Sequence, residues 1–181
     1  DGNQLIGWGM ATGVWEAMQM PAAAKACMEP DGRLVVSSAT SDIGTGTYTV
    51  MTQIAAEAMG LPMEQVEFRL GDSNLSQAPL EGGSFTVSSV GTAVQQACEG
   101  LQAKLLDAAQ QAPVSPFTGA KLEDVEFVDG QMRLKASPEH WVELAEIIAA
   151  NGVIESEVSA KPGEKRSEYS ISTHSAIFVE V

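Results

Sequence analysis

Two short loops mark the places where this chain changes its hydrophobic period: Asp42-Ile-Gly-Thr-Gly-Thr-Tyr-Thr49 and Gly82-Gly-Ser-Phe-Thr-Val-Ser-Ser89. A strand or turn precedes each loop, and apolar residues recur at helical spacing behind it, so both loops open helices. A helix start leaves backbone N–H groups without partners and carries the positive end of the helix dipole. Glycine lets another molecule approach that backbone, and hydroxyl side chains add donors. Two such starts in one domain predict a cradle for an anionic, elongated ligand such as a dinucleotide. Ordinary capped helix starts are the alternative reading.

The rest of the chain reads as hairpins and helices. Residues 5–18 mix glycine with Trp8, Trp15 and other apolar side chains, which predicts a bent or bulged strand. Glu29-Pro30-Asp31-Gly32 is a turn sequence between the runs 22–28 and 33–39, giving a β-hairpin. From Thr47, the stripe Val50, Ile54, Ala58 runs beside Met51, Ala55, Met59; Gly60 ends this helix and Pro62 blocks its continuation. Residues 65–70 alternate as a half-buried strand and stop at the turn cluster 71–74. A loop over 75–87 leads to a helix carrying Val90, Val94, Ala97, Leu101 and Leu105, roughly 33 Å long at about 1.5 Å per residue.

After a loop at 113–122, Asp129-Gly130 between two short apolar runs predicts a second hairpin. Ser137-Pro138 reads as the cap and first position of a third helix, with Leu144, Ile147 and Ile148 on its apolar face and Gly152 at its end. Residues 155–168 are polar and read as an internal connector. Tyr169 to Val181 read as a last strand with Ala176, Phe178 and Val181 alternating. The expected fold class is α+β, mixed-sheet hairpins packed with two or three helices rather than a regular βαβ array. Residues 1–181 are expected to form one domain cut from a longer polypeptide, because Asp1 is not a start methionine and the chain stops directly after a strand pattern.

Composition narrows the chemistry. With 24 acidic against 10 basic residues the formal net charge is −14, which repels nucleic acid and anionic membrane. Between Arg33 and Lys104 the only basic residue is Arg69, and no Gly-x-x-x-x-Gly-Lys-Ser/Thr pattern occurs, so a triphosphate with its magnesium would be poorly neutralised and the sequence argues against nucleoside triphosphate hydrolysis. Backbone amides and hydroxyls remain available to hold one pyrophosphate or the polar edge of a ring. Two histidines, His140 and His174, form neither a Ser-His-Asp set nor a histidine-rich metal site. Cys27 and Cys98 fit no metal spacing and read as buried free thiols. Asp72 reads as a turn cap and Glu81 as a solvated loop charge. The residues by themselves support a binding segment, with no catalytic and no metal-ligating residue assigned.

Taken in order, residues 5–13 (Leu-Ile-Gly-Trp-Gly-Met-Ala-Thr-Gly), the first loop, residues 53–62, Gly71-Asp72-Ser73 and Gly82-Gly-Ser84 resemble the molybdopterin-binding large subunit of the xanthine dehydrogenase and aldehyde oxidoreductase family. The branch they resemble most is that of the bacterial aldehyde oxidoreductases that use molybdopterin cytosine dinucleotide. The resemblance implies hydroxylation of an aldehyde or heteroaromatic carbon at molybdenum, with oxygen from water. It also implies electron transfer to iron–sulfur and FAD partner subunits. The complex would lie in the bacterial cytoplasm, or in the periplasm by way of a partner subunit's export signal. By position, Gly44, Thr45 and Gly46 correspond to the loop that touches the pterin or its dinucleotide extension, and Gly83, Ser84 and Thr86 to the loop along the cofactor near the metal. Their neighbours Thr47, Gly82 and Phe85 complete the expected cofactor-binding set. Thr45 stands where many members carry glutamine, and offers one hydroxyl in place of an amide. The family's catalytic glutamate belongs to a downstream Gly-x-Gly-Glu motif that is not found between Asp1 and Val181, so this segment alone is expected to be inactive. The alternative function is a non-catalytic anion-binding, nucleotide-binding or structural domain.

Overall fold

Alanine at positions 22, 24 and 26, followed by Met28, gives one strand an inward face of small side chains. Such a face admits a helix at close range. In the computed structural model, which describes residues 2–181, this strand (β2, Ala22–Met28) lies inside a four-stranded sheet. Its neighbours are β3 (Leu34–Ser37) and β8 (Ile154–Ala160), both antiparallel to it. β4 (Val66–Arg69) completes the sheet, parallel to β3. The parallel pair is joined by helix α1 (Thr47–Met59), which places the start of α1 just beyond the last residues of β3.

The expected α1 ends as the sequence says it should. Gly60 takes φ 60° and its N–H satisfies the carbonyls of Ala56 and Glu57. The long helix α2 (Thr92–Gln110) is preceded by one π-helical turn over Val87–Gly91. Val94, Ala97, Leu101 and Leu105 of α2 and Met51, Ala55 and Met59 of α1 are buried with the inward faces of β2 and β3 in one core. Two glycines set how close the helices come. A Cβ at Gly100 would run into the Ser156 hydroxyl on β8, and one at Gly91 would lie 2.9 Å from the Ile54 side chain on α1.

A meander of β5 (Val125–Val128), β6 (Gln131–Leu134) and β7 (Ser137–Glu143), followed by α3 (Leu144–Asn151), packs against the other end of the helices. The Asp129-Gly130 turn is as expected, both residues having positive φ. Ser137-Pro138 does not open a helix, however. These residues start β7, whose pairing to β6 is irregular: Arg133 faces Trp141 while Leu134 faces Ser137, leaving 138–140 as extra residues. A proline without an N–H is accommodated in such a bulge, so the same dipeptide that suits a helix start suits this one. The helix begins seven residues later, keeping the expected apolar face of Leu144, Ile147 and Ile148.

The connector expected over 155–168 is likewise shorter. Residues up to 160 belong to β8, where Ser156 and Ala160 are buried among exposed Glu155, Glu157 and Ser159. A strand that presents small and polar residues inward lacks the apolar alternation by which strands are recognised. Only the stretch from Lys161 to Ile171, with a short 3-10 turn at Glu164–Glu168, connects.

The last two strands form a separate ribbon. β1 (Trp8–Glu16) pairs antiparallel with β9 (Ser172–Glu180) in nine consecutive register pairs, so the strand expected as bent or bulged over 5–18 is present and its register carries no bulge. Ala176 and Phe178 lie on β9, yet neither is buried, and Trp8, Met10 and Val14 of β1 are exposed as well.

Gly60 offers the sharpest stability test. A side chain there would meet both the left-handed conformation and the backbone carbonyl of Phe127 on β5. Gly60→Ala should lower unfolding stability by about 2–4 kcal/mol, read as a shift of the urea midpoint at constant slope. A loss below about 1 kcal/mol would show that the contact between α1 and the meander is not close.

Candidate functional site

The first loop is shaped by an aspartate and two glycines. After β3, the chain is held by Ser38, whose N–H donates to the Arg69 carbonyl at 3.1 Å, and by Thr40, whose carbonyl accepts the Gly71 N–H at 2.9 Å. Asp42 then turns its carboxylate back over the loop. Its Oδ1 accepts from the backbone N–H of Gly44 at 2.8 Å and of Gly46 at 3.3 Å, and its Oδ2 from that of Tyr48 at 3.4 Å. Gly44 and Gly46 have φ of 98° and 81°, a conformation that only glycine adopts freely, and Gly46 is the N-cap of α1. These amide hydrogen bonds, that of Gly44 foremost, hold the Asp42 carboxyl below the usual carboxylate range. Two of the N–H groups expected to be unpaired at this helix start, those of Gly46 and Tyr48, are therefore used by the chain's own anion.

The second loop approaches from the other side. Its entry residue Glu81 reaches into the first loop, where Oε1 accepts from the hydroxyls of Thr45 at 2.9 Å and Thr47 at 3.1 Å. Oε2 accepts from Ser41 at 2.7 Å, while Thr45 and Thr47 lie 3.2 Å apart, oxygen to oxygen. Thr47 is buried; Thr45 and Ser41 are exposed. Among the described residues neither Asp42 nor Glu81 has an ion-pair partner. Arg69, the one cation in this part of the sequence, is on β4 and paired with Glu67.

Beyond Glu81, Gly83 and Ser84 both take φ of 60°. For Gly83 this conformation coincides with lack of room, since a Cβ would lie 2.6 Å from the Met18 terminal methyl and 3.0 Å from the Phe85 ring. Ser84, exposed and not a glycine, holds the same left-handed backbone. Phe85 is buried and anchors the turn, and Thr86 leads into the π-helical turn. The end of β1 and the segment after it fix this loop from outside. The Trp15 indole N–H donates to the Gly83 carbonyl at 3.1 Å, the Ser88 hydroxyl to the Met18 carbonyl at 2.7 Å, and the Gln19 amide to the Ser88 carbonyl at 2.7 Å. The Met20 N–H completes the set by donating to the Ser89 hydroxyl at 2.9 Å.

The structure thus brings Gly44, Thr45, Gly46 and Thr47 together with Gly82, Gly83, Ser84, Phe85 and Thr86 through Glu81. Glu81 is not the solvated charge expected from the sequence, and nothing around it in the sequence distinguishes it from one. Asp42 was more legible, since an aspartate two residues before a glycine is a side-chain-to-backbone turn signal. Asp72 caps its own turn as expected, accepting the Asn74 N–H at 2.8 Å. The remaining candidates lie away from the loops: His140 is exposed on β7 and His174 on β9. Cys98 is buried in α2, where desolvation pushes its thiol up to about 12, and Cys27 is raised by burial too, so neither forms a thiolate readily.

What these two loops can hold follows from their donors and acceptors. The first presents hydroxyls and carboxylate oxygens and has the amides of Gly44, Gly46 and Tyr48 occupied by Asp42, so it suits the N–H and O–H edges of a ligand better than a phosphate. The second presents the Ser84 and Thr86 hydroxyls on a turn whose Gly83 makes room for the Met18 methyl, and these hydroxyls can donate to a polar or phosphorylated ligand.

Comparison with known proteins bears on the chain as a whole. A family model described as a molybdopterin cofactor-binding domain matches residues 1–181. The aldehyde oxidoreductase molybdenum-binding subunit PaoC of Escherichia coli O157:H7 is 32% identical over 181 residues, covering 100% of this chain and 23% of that protein. The probable hypoxanthine oxidase XdhD of Escherichia coli K12 is 33% identical over 107 residues, 58% of this chain and 11% of that protein. Among solved structures, CO dehydrogenase from Oligotropha carboxidovorans superposes with a TM-score of 0.78 at 19% identity, over 97% of this chain and 23% of that one. Quinoline 2-oxidoreductase from Pseudomonas putida 86 gives 0.77 at 18%, over 97% of this chain and 25% of that one. These two likenesses establish the fold, and the chain spans about a quarter of each structure. With its whole length matched, the chain belongs to the molybdopterin cofactor-binding domain family.

Proposed function

We propose that this chain is part of the large subunit of a molybdenum hydroxylase, in which its two loops hold a molybdopterin dinucleotide. The observation that carries the reading is the hydrogen bond from Thr45 to Glu81, which joins loops 36 residues apart at one place on the surface. Family membership over residues 1–181 and the likeness to PaoC support it. On this reading the first loop, with Thr45 and the Glu81 carboxylate, receives N–H and O–H groups of the cofactor. Ser84 and Thr86 lie along its remaining length. The phosphates lie away from the start of α1, because Asp42 and Glu81 would repel them there. The cytosine dinucleotide form is the one proposed, by analogy with the aldehyde oxidoreductase branch.

For the full-length polypeptide we propose oxidation of an aldehyde or heteroaromatic substrate. Its electrons would leave through an iron–sulfur subunit and an FAD subunit. When bound, the cofactor supplies the redox centre; the residues of this chain bind and orient it, and none is assigned to proton transfer.

Molybdenum and pterin analysis of the full-length protein, purified from a host that makes the cofactor, should find close to one of each per polypeptide. Finding neither would defeat the reading. Replacing Gly83 by Val in the same protein should reduce cofactor content by about fivefold or more, since a β-branched residue is excluded both by φ and by Met18. Unchanged content in that variant would assign the second loop a purely structural role.

A further inference from the structure

We infer that Glu81 is a positioning residue: by receiving three hydroxyls of the first loop, its carboxylate sets the separation of the two cofactor loops. The inference rests on the reading of both loops as one site. Its basis is connectivity. Ser41, Thr45 and Thr47 all donate to Glu81, and among the described residues no other side-chain hydrogen bond joins 41–47 to 81–86. The two segments are otherwise carried by different elements, the first by β3 and α1, the second by the π-helical turn and α2. One of the three donors, Thr47, is 3% exposed, so the carboxylate is seated against the buried base of the loop.

Two physical roles are open to this carboxylate, and they make opposite predictions. If it serves as a bridge, glutamine replaces it. The amide oxygen still accepts from Thr45 and Thr47, and the amide nitrogen donates to a Ser41 hydroxyl that is free to turn. If it serves as a charge, glutamine is no better than alanine. The absence of any cation beside Glu81 among the described residues favours the bridge.

The test uses the full-length protein produced in a cofactor-making host, with molybdenum and pterin measured per polypeptide and the unfolding temperature measured on cofactor-free protein. Glu81→Ala should lose cofactor by about tenfold, the scale of one or two charge-assisted hydrogen bonds. Glu81→Gln should stay within about twofold of the parent. The cofactor-free unfolding temperatures of all three should agree within about 3 °C. Should Glu81→Ala fail to fold, the double variant Ser41→Ala, Thr45→Ala removes two exposed donors from the bridge, with an expected loss of about fivefold. Parental occupancy in Glu81→Ala, or in the double variant, would overturn the inference, and so would equal losses in Glu81→Ala and Glu81→Gln. An unmodified protein lacking both molybdenum and pterin would instead overturn the cofactor reading itself.

Discussion

The close approach of α2 to the sheet is the constraint on which the other features depend. It is possible because β2 turns alanines inward at 22, 24 and 26, and because Gly100 on α2 meets Ser156 on β8 without a side chain between them. Dense packing of small residues leaves few ways to shift a helix along the sheet without opening a void or a clash. The start of α2 is thereby fixed against the middle of α1, where Gly91 faces Ile54. The two helices bring their leading loops to one place, and Glu81 closes the remaining distance with hydrogen bonds.

Helix starts are commonly read as anion sites, and here that reading needs a change of sign. The amides of Gly44, Gly46 and Tyr48 are taken by Asp42, and the nearby hydroxyls by Glu81. In a chain with a formal net charge of −14, these two carboxylates are held by donors instead of cations. The first loop consequently offers acceptors to a ligand. A pterin has ring and amino N–H groups to match, whereas a pyrophosphate does not, so one end of a dinucleotide cofactor suits this loop better than the other.

Much of this was legible from the residues. The Gly60 stop, the Asp129-Gly130 turn and the Pro30-Asp31-Gly32 hairpin depend on local backbone preferences, and local preferences survive into the fold. Ser137-Pro138 and the polar stretch before 160 were decided by long-range pairing. Ser137-Pro138 satisfies a helix start, yet β6 captures it as a bulged strand. The segment 154–160 looks polar, yet β2 pairs with it because Gly100 leaves room for Ser156 and the acidic side chains face outward. Glu81 belongs with these, since its role depends on hydroxyls about 34 to 40 positions away. The glycine–hydroxyl loops themselves were found because their residue types are unusual; their electrostatic sign was hidden in which donors face which carboxylates.

The most direct test of this account is a crystal structure of the full-length protein with its cofactor bound, read for the position of the phosphates relative to the first loop. The account predicts that the Gly44, Gly46 and Tyr48 amides remain bonded to Asp42, that Glu81 still receives Ser41, Thr45 and Thr47, and that no phosphate oxygen touches this helix start. Phosphate oxygens on those amides, with Asp42 displaced, would contradict it.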